Sequence, residues 1–114
     1  MKWGKLAIIN LYECSERIKN KKKIKEFIQI LCRIMNMKKA GPVKVKRFGK
    51  GKLEGYSAFQ FIETSSIVCH FDETQNRAFI DIFSCRNFDA QKAENFAKKF
   101  FKAKKTKLRI LTRE

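Results

Sequence analysis

Apolar and polar positions follow two periods along this chain. Leu6–Tyr12 is largely apolar with β-branched members, which predicts a buried strand. Residues 21–38 instead carry apolar side chains at steps of three and four, which predicts an amphipathic helix. Its apolar face comprises Ile24, Phe27, Ile28, Leu31, Ile34 and Met35. We expect Gly41-Pro42 to stop this helix, because proline disfavours helical backbone before it and donates no backbone hydrogen bond.

The middle of the chain returns to the period of two. Residues 43–48 alternate apolar and basic side chains, as a half-buried strand does, and a polar, glycine-rich loop follows at 49–55. The polar stretch Asp72–Asn76 then has the character of a hairpin connection between two strands. The strands predicted in this region are Tyr56–Ile62, Ile67–Phe71 and Arg77–Phe83.

The C-terminal part adds a second helix and an edge strand. Residues 89–103 place Ala93, Phe96 and Phe100 on one helical face, and residues 107–112 partly alternate. The predicted order is therefore β-α-β-β-β-β-α-β. We expect an α+β fold, a two-layer sandwich of a mostly antiparallel sheet with both helices on one face. The length of 114 residues predicts that the whole chain, 1–114, forms one domain with one core.

The charge balance is strongly basic, with 27 Lys and Arg against 11 Asp and Glu. Such an excess can attract nucleic acid or an anionic membrane. The cations are mostly lysines, scattered over 19–25, 38–52 and 98–107, without the interleaved aromatics of a nucleic-acid surface. We interpret them as a solvated surface and expect no nucleic-acid partner. A basic nucleic-acid-binding domain is kept as an alternative.

Cellular location and metal binding can be predicted from the same composition. The chain has no apolar run of about 18 residues, so no membrane span is expected. Its N-terminal segment predicts a strand and not a signal peptide, which favours a cytoplasmic protein with reduced thiols. His70 is the single histidine and no cysteine pair has C-x-x-C spacing, so we expect no metal site. Most buried cysteines pack as small hydrophobes, and we assign that role to Cys14, Cys32 and Cys69.

Candidate chemistry is concentrated between Gly55 and Cys85. Ser57, Ser65, His70 and Cys85 occur there at fixed offsets within strand-like sequence. With no gap in this segment, the four residues resemble the core of the prokaryotic S-adenosylmethionine decarboxylase family, whose members make a pyruvoyl cofactor from an internal serine. The similarity spans nearly the whole chain, since the first strand, first helix and second strand also resemble the family's opening elements.

The resemblance implies a self-processing decarboxylase of polyamine (spermidine) biosynthesis. Ser65 would attack the Thr64 carbonyl, and the resulting ester would break to leave a pyruvoyl group at residue 65. Cleavage would give a β chain of residues 1–64 and an α chain of residues 65–114. The pyruvoyl carbonyl would form a Schiff base with a small amino-acid-type substrate and accept the electrons that carbon dioxide leaves behind. We expect a homodimer of processed chain pairs.

The resemblance also implies a role for each remaining residue. Ser57 would stabilise the oxyanion of the processing intermediate, where negative charge develops. His70 would remove the Cα proton of residue 65, because an imidazole exchanges protons readily near neutral pH. Cys85 would return a proton to the substrate carbon after decarboxylation. We expect these side chains on neighbouring strands, close enough to share one cavity with Ser65.

Departures from the family lie mainly around the substrate pocket. The family's Trp-Pro-Glu is replaced by Asp72-Glu73-Thr74, which leaves Glu73 as the candidate for an acidic ribose contact, one position early. Gly51 replaces the aromatic residue that stacks on adenine, which leaves Phe48 as its candidate substitute. The glycine that usually follows the proton-donating cysteine is Arg86.

Thr64 and Ser66 also differ from the Glu and His that flank the family's processing serine. These departures leave three outcomes open. The substrate can be S-adenosylmethionine with altered contacts, or another amino acid such as arginine or ornithine. The third is a catalytically silent paralogue with a binding or regulatory role.

Overall fold

The computed structural model describes residues 3–114. Over this range the chain forms a six-stranded sheet, two α-helices and two short 3₁₀ helices, Glu16–Lys19 and Gly51–Leu53, which the sequence pattern did not predict. The strands and α-helices are β1 Gly4–Tyr12, α1 Lys21–Ile34, β2 Lys44–Phe48, β3 Gly55–Ile62, β4 Ser65–Asp72, β5 Arg77–Ser84, α2 Ala90–Phe100 and β6 Lys105–Arg113.

The sheet has the strand order β2-β3-β4-β5-β1-β6, and every neighbouring pair is antiparallel. Strands β2 to β5 follow one another as consecutive neighbours, and β1 lies between β5 and β6. The predicted C-terminal edge strand is confirmed, although it is longer than expected. β2 forms the other edge.

Both α-helices pack on one face of this sheet, so the predicted α+β sandwich is confirmed. Phe27 of α1 has its ring centroid 5.5 Å from that of Phe96 in α2 and 4.7 Å from that of Phe101. Beneath the helices, one row of cross-strand neighbours is entirely apolar, which follows from the alternation of side chains between the two faces of a sheet. This row runs Val45, Ala58, Cys69, Ile80, Ile9 and Leu108.

The first helix begins where predicted but ends earlier. Asn20 caps its start, with the side-chain oxygen accepting the Lys23 N–H at 3.1 Å. The prediction that it extends to residue 38 is wrong, because α1 ends at Ile34 and Asn36 adopts φ 54°, a left-handed conformation typical of a helix C-terminus. Pro42 therefore lies in the following loop and does not end the helix.

The second helix is likewise shorter than the predicted 89–103. Asp89 is its cap and not its first residue, since the carboxylate accepts the Lys92 N–H at 3.1 Å. The helix ends at Phe100, and Lys102 then adopts φ 51° and turns the chain into β6. The periodicity of the apolar residues was a good guide to the buried faces and a poor one to the ends.

Within residues 3–114, no helix covers the opposite face of the sheet, which is called the open face below. Its residues alternate with the buried ones along each strand. One row across it is Phe61, Ser66, Phe83, Leu6 and Leu111. Phe61 is 56% exposed and Leu111 46% exposed, so this face combines apolar side chains with solvent access. No helix within residues 3–114 has both the length and the apolar character that a membrane span requires.

Candidate functional site

The bond predicted to be cleaved lies at the tip of a tight hairpin. Ile62 at the end of β3 pairs with Ser65 at the start of β4, so Glu63 and Thr64 form a two-residue turn between them. The Thr64–Ser65 bond therefore sits at one end of the sheet, where the backbone leaves the ladder and side chains meet solvent.

Cys85 reaches this turn from the neighbouring strand. Ser84, the last residue of β5, pairs with Ser65, and this places the next residue beside the turn. The Cys85 N–H donates to the Thr64 carbonyl oxygen at 3.1 Å, and its Sγ lies 3.3 Å from the same oxygen. The Ser65 Oγ lies 3.4 Å from the Thr64 Oγ1. Donors on a carbonyl oxygen polarise it toward nucleophilic attack. Thr64, Ser65 and Cys85 are called the processing cluster.

Cys85 differs from the other cysteines in its environment. It is exposed, whereas Cys14, Cys32 and Cys69 are buried, and all four are free thiols. Burial raises the pKa of the Cys14 thiol to about 11 and also raises the pKa values of Cys32 and Cys69. Because the thiolate is the reactive form, the buried thiols are poorly suited to chemistry and Cys85 is the accessible one.

Ser57 and His70 form a second cluster, the serine–histidine pair. They are directly opposed across β3 and β4, and the Ser57 Oγ lies 2.9 Å from the His70 Nδ1. The close approach of β3 and β4 beside this pair requires Gly55, since a Cβ at that position would lie 2.2 Å from the Phe71 carbonyl oxygen. The hydrogen bond leaves the His70 Nε2 directed away from Ser57 and available for proton transfer.

The two clusters do not meet within one chain, contrary to the expectation of a shared cavity. Ser65 and His70 are five positions apart on the same continuous strand, which separates them by about 16 Å. An odd separation also turns their side chains to opposite faces of the sheet. His70 belongs to the open face, whereas Ser65 pairs with the buried Ser84. The chain's single imidazole therefore lies far from Ser65 within one molecule.

A groove of about 320 Å³ borders His70 of the serine–histidine pair, and sequence reasoning missed most of its lining. Arg77 crosses this groove, with Nε donating to Asp72 at 2.7 Å and its guanidinium 5.3 Å from the Phe79 ring centroid. The strand register could have revealed Phe79, because it is the residue of β5 directly opposite His70. Other residues lining the groove are Lys52, Leu53, Phe71, Thr74 and Gln75.

Glu73 is engaged in an ion pair with Arg47. Arg47 donates to both carboxylate oxygens of Glu73, at 2.6 and 2.8 Å, and its Nε donates to Glu54 at 2.6 Å. These hydrogen bonds hold the pKa of Glu73 below its usual range. A ribose contact at Glu73 would have to displace a bidentate arginine.

Phe48 lies on the open face and is 57% exposed, so it is free to stack on a ligand.

The part of the chain that the structure describes contains no group of three or more His, Cys, Asp or Glu side chains able to hold a metal ion.

Comparisons with known proteins agree with this architecture. A family model described as S-adenosylmethionine decarboxylase matches residues 5–114. The crystal structure of the adenosylmethionine decarboxylase from Aquifex aeolicus superimposes with a TM-score of 0.82 at 17% identity, covering 98% of this chain and 91% of that one. At this level of identity the superposition shows a common fold. No curated protein matches the chain.

Proposed function

The chain belongs to the S-adenosylmethionine decarboxylase family, and we propose that it is a self-processing, pyruvoyl-dependent decarboxylase of S-adenosylmethionine. The observation that supports this most strongly is the Thr64 carbonyl, which faces two donor atoms of Cys85 at the residue preceding Ser65. The proposed product would feed polyamine (spermidine) synthesis. Four free thiols favour a cytoplasmic setting.

Processing begins in this proposal with attack of the Ser65 hydroxyl on the Thr64 carbonyl carbon. The Cys85 N–H already lies where the developing oxyanion needs a donor, and Ser57 supplies a further hydroxyl donor. The acyl group moves from nitrogen to oxygen and leaves an ester. His70 then removes the Cα proton of residue 65, and the Cβ–O bond breaks. Addition of water and loss of ammonia leave a ketone at the new N-terminus.

The residues around Ser65 fit the pyruvoyl group that this route produces. The group would sit at an accessible hairpin tip beside an exposed thiol, and its carbonyl supplies the electron sink for decarboxylation. In this proposal Cys85 returns a proton to the substrate carbon. The groove over His70 offers apolar surface from Leu53 and Phe79 for the rest of the substrate.

A homodimer completes this site in the proposal. The open face bears Phe61, Phe83 and Leu111 with partial solvent access, as a surface that packs against a second copy would. In a two-fold dimer, His70 and Ser57 of one copy would have to meet the hairpin tip of its partner, because the Ser65 side chain lies on the helix-covered side of its own sheet. This arrangement supplies the imidazole that the separation of about 16 Å denies within one chain.

The substrate alternative rests on the Arg47–Glu73 pair. Since both Glu73 oxygens are bound, the acidic ribose contact expected of this family has no free counterpart at that position. This favours the second candidate, decarboxylation of another amino acid such as arginine or ornithine. A catalytically silent paralogue that binds or regulates a partner is the third.

Intact-mass spectrometry and carbon dioxide release test the proposal together. Purified protein should contain two fragments that meet at Thr64 and Ser65, and the α chain should carry a ketone that reacts with phenylhydrazine. Ser65→Ala should remain one chain, whereas the control Ser66→Ala should still be cleaved. Release of labelled carbon dioxide from S-adenosylmethionine, arginine and ornithine then identifies the substrate. A wild-type chain that is not cleaved and releases no carbon dioxide from any of these three compounds would overturn the enzyme proposal.

A further inference from the structure

A cavity on the other side of the hairpin tip has no part in the chemistry described so far. It has a volume of about 240 Å³ and borders Thr64. Its charged lining consists of Lys38, Glu63 and Arg86, and its polar lining includes Asn36 and Asn87. The cavity therefore adjoins the residue that loses its peptide bond if the chain cleaves itself.

Cleavage by this route changes the local charge in an unusual way. Ordinary hydrolysis of a peptide bond creates a carboxylate and an ammonium group, which compensate each other. Here the nitrogen of residue 65 leaves as ammonia, so the new N-terminus is a neutral ketone. Elimination moves the Cβ–O electron pair onto oxygen, and Thr64 becomes a terminal carboxylate with no new cation beside it.

The charges around the cavity match this change. Lys38 lies 3.7 Å from Glu63, whereas no acidic side chain of residues 3–114 lies within 4.0 Å of Arg86. Two cations and one anion leave a net charge of +1 before cleavage, and the Thr64 carboxylate would bring the cavity to zero. The Arg86 backbone N–H donates to the buried Ser84 Oγ at 3.0 Å, which anchors this arginine at the end of β5.

We propose that this cavity is the receiving site for the Thr64 carboxylate, with Arg86 as its principal cation and Lys38 as the second. The inference rests on the proposed self-processing. The proposal gives Arg86 two roles. Arg86 stabilises negative charge on the departing carboxylate during elimination, and it holds the cleaved end of the β chain in place afterwards. Asn36 and Asn87 supply amide donors to the same group.

The first test follows the ester intermediate. In the full chain, Arg86→Gln should slow elimination about fivefold, the effect of removing one partly exposed charge partner. Hydroxylamine should then trap more ester as a Thr64 hydroxamate fragment, seen by mass spectrometry. Arg86→Lys should restore the rate. Lys22→Gln removes the same charge at the start of α1, about 20 Å from the end of the helix that borders the cavity, and should not change the elimination rate. Equal time courses for Arg86→Gln and Lys22→Gln would overturn the proposal.

The second test separates this role from a merely structural one. Arg86→Gln should lower the melting temperature of the cleaved protein more than that of the uncleaved Ser65→Ala protein, because only the former has the carboxylate. Equal losses in the two forms would contradict the inference while leaving self-processing intact. If the wild-type chain shows no cleavage by intact mass, the proposed function itself fails, and the receiving site fails with it.

Discussion

The two ends of β4 carry two different groups of candidate site residues. At the hairpin tip, which meets solvent, Thr64 lies within hydrogen-bonding distance of both Ser65 and Cys85. At the other end, Ser57 and His70 form a tight pair on the open face. A continuous strand joins the two, and its rigidity keeps the nucleophile and the base about 16 Å apart. The comparison teaches that the residues proposed for one reaction are divided between two places on the sheet that do not meet within a single chain.

A mixture of two inactive variants gives the sharpest test of this separation. Ser65→Ala keeps the serine–histidine pair, and His70→Ala keeps the processing cluster. Neither should be cleaved alone, but a co-expressed mixture should contain cleaved His70→Ala chains, because the partner supplies the imidazole. Intact masses distinguish the two chains. If His70→Ala remains whole in the mixture, the base acts within its own chain and the dimer proposal is wrong.

Replacing Cys85 tests the hairpin tip alone. Cys85→Ala keeps the backbone N–H that faces Thr64, so cleavage should continue, whereas turnover loses its proton donor. We expect carbon dioxide release to fall by about 10² to 10⁴. Cys14→Ala removes a buried thiol and is the matched control, with turnover expected near that of the wild type. Full activity in Cys85→Ala would exclude the assigned role.

Replacing Ser57 tests the opposite end of the strand. Ser57→Ala removes a hydroxyl donor that we place at the oxyanion, and cleavage should slow by about 10² to 10³. Ser66→Ala is the control, because Ser66 lies on the same face but pairs with Phe61 and not with His70. Time courses of chain cleavage measure both. Equal rates for the two variants would remove Ser57 from the mechanism.

The smallest expected effect concerns stability near the serine–histidine pair. Arg47 lowers the pKa of Glu73 in the folded state, so the pair stabilises the protein above the ordinary carboxyl pKa of 4.5. This contribution is lost as pH falls through the lowered folded-state pKa and Glu73 takes up a proton. Glu73→Gln should therefore lower the melting temperature at pH 7, and the difference from the wild type should shrink toward zero in acid.

Glu16→Gln is the control for that measurement, since Glu16 forms an exposed pair with Lys19 and should have little effect at either pH. A difference between Glu73→Gln and the wild type that is the same at pH 7 and in strong acid would show that packing, and not the ion pair, explains it.

The sequence by itself determined the layers of this fold and the identity of the candidate site residues. Alternation along β2 to β5 and the helical step of Ile24, Phe27 and Leu31 specify which faces become buried, because burial of apolar surface is the main driving force. The offsets from Ser57 to Cys85 are likewise a property of the sequence alone, and so is the resemblance to the family that they carry.

Only the tertiary structure decided which of those residues meet. The helix ends at Ile34 and Phe100 are each followed by a single left-handed residue, Asn36 and Lys102, which apolar periodicity does not encode. The contact of Cys85 with Thr64 follows from strand register, and the capture of Glu73 by Arg47 follows from the meeting of β2 with a distant turn. Register and strand order are set by packing across the whole sheet, so residues close in sequence, such as Ser65 and His70, can end far apart in space.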